Sequence, residues 1–181
     1  YDDGLINARN ASSVTGNVTM GTATSAGTNI LNIISTVVTD GAGQEIGLPA
    51  TVGGNVTMTS TNANTLNVIG AASTPDADGK VTIYEAAIGG NVTMTGSSNF
   101  ATLAMGTIDG TVTADATSTD NVFILSGFTV IGDMELDAEE QNLLNASNSN
   151  LAAVDMTAII GNTLQLTGSA AETIAMTATD G

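Results

Sequence analysis

Gly90-Asn91-Val92-Thr93-Met94 is the stretch on which the fold turns, because the chain writes it three times. The same five residues stand at positions 16–20 and 54–58. Weaker copies follow at 110–114 (Gly-Thr-Val-Thr-Ala), 132–136 (Gly-Asp-Met-Glu-Leu), 154–158 (Val-Asp-Met-Thr-Ala) and 172–176 (Glu-Thr-Ile-Ala-Met). With the central apolar residue as a marker, the series runs Val18, Val56, Val92, Val112, Met134, Met156 and Ile174. Its later intervals lie near 20 residues and the first two near twice that, so the early part holds either two decorated coils or four poorer ones. Gly79-Lys-Val-Thr-Ile83 is a further copy that favours extra strands there. Self-similarity at a fixed period is the signature of repeat architectures.

Working outward, a second apolar segment follows at about half a period: Leu66-Asn-Val68, Leu103-Ala-Met105, Phe123-Ile-Leu125 and Leu164-Gln-Leu166. Both kinds of segment alternate apolar and polar residues, the period-two pattern of a half-buried strand. Gly, Asn, Ser, Thr and Asp fill the gaps, as tight turns require. Helical patterns are nearly absent, and the best candidate is the short run 137–144. The expected fold is all-β, a single β-solenoid over 1–181 with coils of about 20 residues and two to three short strands each. Residues 1–15 read as an incomplete first coil, 16–89 as decorated coils, 90–171 as regular coils and 172–181 as an incomplete last coil. Val18, Met20, Val56, Met58, Val92 and Met94 are expected to point into a lumen with little room for aromatic rings.

Composition excludes several functions. The chain has 18 acidic residues, one Lys (Lys80) and one Arg (Arg9), for a net charge of −16. That balance is wrong for nucleic acid or anionic membrane surfaces. Apolar residues make up 42% of the chain, more than a disordered chain carries. No apolar run is long enough for a membrane-spanning helix. With no Cys and no His, disulfides and Ser–His or Cys–His catalysis are unavailable, and no nucleophile–base constellation exists; the expectation is not an enzyme. The chain opens at Tyr1 without Met, which reads as a processed or excised segment.

Repeats and composition together resemble the β-solenoid portions of bacterial and archaeal surface proteins, the S-layer and adhesin-like chains. Those are likewise rich in Thr, Gly, Asn and Ala, acidic, Cys-free and poor in Lys. The resemblance is one of class and covers the whole chain. It implies an extracellular or cell-surface location and a structural role, and it transfers no site residue.

Two acidic groups are candidate calcium ligands. Asp76, Asp78 and Glu85 lie in Thr74–Glu85 at spacings that partly match an EF-hand loop. The bland reading is a Pro-Asp-x-Asp-Gly turn between strands. Asp133 and Glu135 share an outer strand face beside Asp137, Glu139, Glu140 and Asp155. Stacked like charges repel and invite a cation, whereas a solvated acidic face keeps the surface soluble. Outward Thr19, Thr57, Thr59, Thr93, Thr95, Thr111 and Thr113 suggest an ice-binding array, interrupted by Asp133, Glu135 and Asp155. Asn10, Asn17, Asn55, Asn91 and Asn145 open Asn-x-Ser/Thr triplets, though Asn beside Gly also serves a turn.

The ends complete the expectation. Residues 1–15 and 172–181 read as two parts of one coil without caps, so head-to-tail stacking on copies of itself would continue the ladder into a filament or surface layer. Leu5, Ile6, Val14, Ile174 and Met176 are the assembly residues of that reading. The alternative is an adhesin or carbohydrate-binding stalk facing a surface glycan, for which Tyr1, Tyr84, Phe100, Phe123 and Phe128 are the available aromatic platforms.

Overall fold

A computed structural model describes residues 4–9 and 12–178. These residues form strands and turns with no helix, and seventeen strands join one parallel, nearly closed sheet, the arrangement of a β-solenoid. Pairing falls into three columns. The first, here the asparagine wall, stacks β1 (Gly4–Arg9), β4 (Asn29–Ile34), β9 (Ala63–Ile69), the first part of β14 (Ser98–Ile108), the first part of β16 (Asn121–Val130), β18 (Gln141–Ser147) and β20 (Gly161–Thr167). The short wall stacks β2 (Ser13–Val14), β7 (Thr51–Val52), β12 (Ala86–Ile88), the ends of β14 and β16, and the first residues of β19 (Asn150–Ala158) and β21 (Ala170–Ala178). The marker wall stacks β3 (Val18–Met20), β8 (Val56–Thr59), β13 (Val92–Gly96), β15 (Val112–Ala116), β17 (Met134–Ala138) and the remainders of β19 and β21.

The marker wall shows why the pentapeptide recurs. Val56, Val92, Val112, Met134 and Val154 form one buried column, and Met58, Met94, Ala114, Leu136 and Met156 form the next. The residues between them face outward. Burying each Val or Met side chain is worth about 1.5–3 kcal/mol relative to exposure. One marker needs correction: Met134 pairs with Val154, and Met156 with Leu136 and Met176. Ala152 and Ala153 occupy the slots of the motif's Gly and Asn, so the motif's third position falls on Val154. From Val92 onward the spacings are therefore 20, 22, 20 and 20 residues.

The long early intervals come from two antiparallel hairpins between the asparagine and short walls: β5 (Thr36–Thr39) with β6 (Glu45–Leu48), and β10 (Ala71–Ala72) with β11 (Ile83–Tyr84). Later passages turn the same corner with one left-handed residue: Met105 (φ 49°), Gly127 (φ 57°), Asn148 (φ 48°) and Gly168 (φ 58°). The run 137–144 is no helix. It contains the end of β17, a turn at Glu139–Glu140 and the start of β18, where tertiary pairing overrides modest helix propensity.

Against the expectation of little room for aromatic rings, Phe123 and Phe128 are fully buried. Small neighbours make the room. Phe123 pairs with Ala101 and Phe128 with Gly106, where a Cβ would lie 2.9 Å from the ring of Phe128.

The asparagine wall is named for an internal ladder. Asn29, Asn64, Asn99, Asn121, Asn142 and Asn162 stand in register, and each amide Nδ2 donates to the Oδ1 of the next at 2.9 Å. The same amides donate to marker-wall carbonyls, including those of Thr59, Thr95, Asp115 and Thr157. They tie the turn between the two walls, and buried polar groups are tolerated only when bonded in this way. The ladder begins beside Gly4, which has no side-chain amide to offer, and Asn29 Oδ1 is a buried acceptor without a partner among the described residues.

Candidate functional site

The two ends of the ladder differ. At the C-terminal end, β20 and β21 form the last described rung, and Ile174 and Met176 are 46% and 49% exposed although they continue buried columns. Leu164, Leu166 and Ala171 are partly buried beside them. At the other end Val18 and Met20 are already buried, and Ile6 and Val14 pack partly against the core. Leu5 departs from its expected place. Its register partner is Ile30, one residue out of step with the buried Leu31 that pairs with Ile6, so Leu5 faces outward and is exposed. A one-residue offset on a strand reverses the face. Four of the five expected assembly residues thus lie at the ladder ends on the lumen side.

The acidic group sits on the outer side of the marker wall. Glu135 pairs with Thr113 and Asp155, and Asp115 pairs with Asp137, so two carboxylate pairs stack in adjacent columns. With Thr113 and Thr157 these four carboxylates line one shallow groove. Asp133 joins Glu135 and Asp155 along a second groove beside it. Partial burial in the groove, then the charges of Asp137 and Glu139, lift the Asp115 carboxyl above its ordinary range. Asp115 escaped the sequence reading because it lies apart from the acidic run. Its signal was positional, an Asp two places after Thr113 where Thr59 and Thr95 stand in earlier copies.

Asp76 and Asp78 are placed in the tip of the second hairpin. Asp76 Oδ1 accepts from the Asp78 and Lys80 amides at 3.0 and 2.8 Å, and Gly79 (φ 78°) donates to the Asp76 carbonyl. The first hairpin builds the same turn with Asp40, Ala42, Gly43 and Gln44. Asp76 thus serves the turn itself, through both Oδ1 and its backbone carbonyl. Glu85 lies at the hairpin base, where its carbonyl accepts from Ser35 Oγ at 3.0 Å. Glu45, which sequence reasoning missed, links the two hairpins by accepting from Thr74 N and Oγ1 at 2.9 and 3.0 Å. Among the described residues no three His, Cys, Asp or Glu side chains converge as a metal-binding group.

The remaining candidates are distributed. Asn17, Asn55 and Asn91 lend their Oδ1 atoms to the amides of Asn55, Asn91 and Thr111 on the next rung, at 2.8–3.0 Å. The outward threonines do stack, Thr19 with Thr57 and Thr93, until Glu135 and Asp155 interrupt their column. Of the aromatic residues, Phe123 and Phe128 are core. Tyr84 lies over Gly47, where a Cβ would collide with its ring. Phe100 is exposed on the asparagine wall, in β14. Tyr1 and Asn10 lie outside the described residues. No described helix is long and apolar enough to cross a membrane. The chain matches no family model, no curated protein and no solved structure.

Proposed function

We propose that this chain is a structural, non-catalytic β-solenoid with turns of about 20 residues, each giving one short strand to each of three walls, and that it stacks end to end on copies of itself outside the cell. The observation that carries the reading is the exposure of Ile174 and Met176 on the last described rung, in columns whose preceding members are buried. Open strand edges with apolar side chains are templates for further pairing. A second copy in register would set Leu164 against Ile6, Ala171 against Val14, Ile174 against Val18 and Met176 against Met20, keeping inward residues inward. Most of the newly buried apolar area would come from the C-terminal rung, and association entropy offsets part of the gain. Calcium is the cofactor this reading admits, held by carboxylates of the acidic face or the hairpin, because −16 chains repel one another.

The alternative is a stalk that displays a glycan-binding surface, and Phe100 on its flat wall is the observation in its favour. Electron microscopy and sedimentation of the intact chain and of Ile174→Asp/Met176→Asp separate the two. End-to-end assembly requires filaments from the intact chain and their loss in the double variant with an unchanged circular-dichroism spectrum. Filaments of normal length from the double variant, or an intact chain monomeric at every concentration, would remove it.

A further inference from the structure

We infer that the outer side of the asparagine wall is a face on which two copies of this chain associate side by side, independently of end-to-end stacking. The strands β4, β9, β14 as far as Ala104, β16 as far as Ser126, β18 and β20 contain no Asp, Glu, Lys or Arg. This sets it apart from the outer marker wall, which carries Asp115, Glu135, Asp137 and Asp155; the short wall is uncharged too, but its strands are only two or three residues long. The neutral wall is not merely polar. Phe100, Val122 and Leu143 share one outward column, and Ile124 stands in the next. Phe100 is 41%, Ile124 49% and Leu143 37% exposed. These residues lie on rungs whose own corner is a single residue, Met105, Gly127 or Asn148, whereas the second hairpin leaves at Gly70 from the adjoining rung and lies close to β14.

Three considerations select a second copy as the occupant. Any approach that uses the marker wall brings carboxylates together, whereas opposed asparagine walls keep both acidic faces turned away. Six strands stacked at about 4.8 Å, each about 20 Å long, present roughly 600 Å² per partner and roughly 1,200 Å² in the pair, the lower bound of stable specific interfaces. The patch is aliphatic with one ring, as an interface core is; flat sugars stack on rows of aromatic faces, which this wall lacks. An isologous arrangement would centre on Val122 and Ile124, with Phe100 and Leu143 flanking them.

The experiment is sedimentation of the full chain carrying Met176→Asp, which blocks end stacking, across a concentration series at low and high salt. A dimer is expected that strengthens as salt screens the acidic faces, is lost in Ile124→Asp, and survives Thr93→Asp, a matched charge on the marker wall. Because the chain has no cysteine, Ile124→Cys should also give an oxidised dimer, and Thr93→Cys should not. A Met176→Asp chain that stays monomeric at high salt overturns the inference without touching the end-stacking proposal. Persistence of the dimer in Ile124→Asp overturns it too. So does retention of a monomeric chain on insoluble cellulose that Phe100→Asp abolishes, which would assign the wall to a neutral polysaccharide.

Discussion

The N-terminal and C-terminal parts of the ladder use the same three walls but turn one corner differently. From Met105 onward the chain passes from the asparagine wall to the short wall through one left-handed residue. Earlier, Ser35 and Gly70 occupy that position and a hairpin follows each: the Ser35 amide donates to Ile69 O and the Gly70 amide to Ala104 O, as the ladder requires. Register is unaffected, since Ile34 still pairs with Ile69 and Ile69 with Ala104. The pairing is therefore specified by the walls and their asparagine ladder, while the length of chain between them is free to vary. Loop entropy agrees, because each doubling of a loop costs only about 0.6 kcal/mol.

The ladder offers the largest effect with which to test that account. Asn64 lies in the decorated part and Asn121 in the regular part, and each bonds to the amide on either side and to marker-wall carbonyls. Replacing either by Ala strands buried donors and acceptors, each costing about 1–3 kcal/mol, so a loss of about 2–5 kcal/mol is expected for both. Chemical denaturation should find the two variants equally destabilised. A mild Asn64→Ala beside a severe Asn121→Ala would mean that the hairpins, not the ladder, hold the early register.

A smaller effect is expected from making the two parts alike. Deleting residues 36–49 and 71–85 joins Ser35 to Ala50 and Gly70 to Ala86, the connection that Met105 and Gly106 already make. Ser35→Gly supplies the left-handed conformation. Ser35 Oγ now braces both hairpin bases, donating to Glu85 O and accepting from Ala50 N at 3.0 Å, and those partners leave or relax together. Stability should change by about 1 kcal/mol or less, a shift of about 2–4 °C in the melt. A molten product, lacking a cooperative transition, would show the hairpins to be part of the folding core.

How far the sequence disclosed this structure follows the same division. In the regular part the repeat, the alternation and the outward acidic residues were readable, because identical local environments recur at nearly constant spacing. The slip at Met156 came where Ala152 and Ala153 replace the Gly-Asn signal and alternation alone permits a two-residue shift. The tip of the second hairpin was legible as a Pro-Asp-x-Asp-Gly turn between strands, although its strand at Ile83 read as a copy of the motif, and the first hairpin was sensed only as extra length. Buried Phe123 and Phe128 were unreadable because their space is made by Ala101 and Gly106, about one repeat earlier in the chain. The asparagine ladder was missed for a related reason: Asn at a turn looks ordinary until six of them stack. Of the candidate sites, Glu135 and Asp155 were placed together correctly, while Asp115 and Glu45 needed the fold.

The smallest effect concerns charge, where the two parts again differ. In the outward columns of the marker wall the early rungs carry Thr57, Thr59, Thr93 and Thr95, and the later ones carry Asp115, Glu135, Asp137 and Asp155. The Asp115 carboxyl is raised by partial burial and by Asp137 and Glu139. The folded chain therefore holds this proton more tightly than the unfolded chain does. Stability from this group is fully present below the unfolded carboxylate range and is lost as pH rises through the folded value. Asp115→Asn should fall less across that window and be the more stable protein at neutral pH, by about 0.2–1 kcal/mol for one relieved like-charge contact. Thr95→Asp, which adds a carboxylate beside Asp115, should move stability the other way, and Thr57→Asp, flanked by Thr19 and Thr93, should do little. Thermal melts from acidic to neutral pH measure all three, and parallel curves for the intact chain and Asp115→Asn would refute the repulsion. Repeating the neutral melts in calcium and in chelator at matched ionic strength extends the test. A cation held by the acidic face must raise the intact chain's transition more than that of Asp115→Asn, because the bound ion relieves the repulsion that the substitution has already removed.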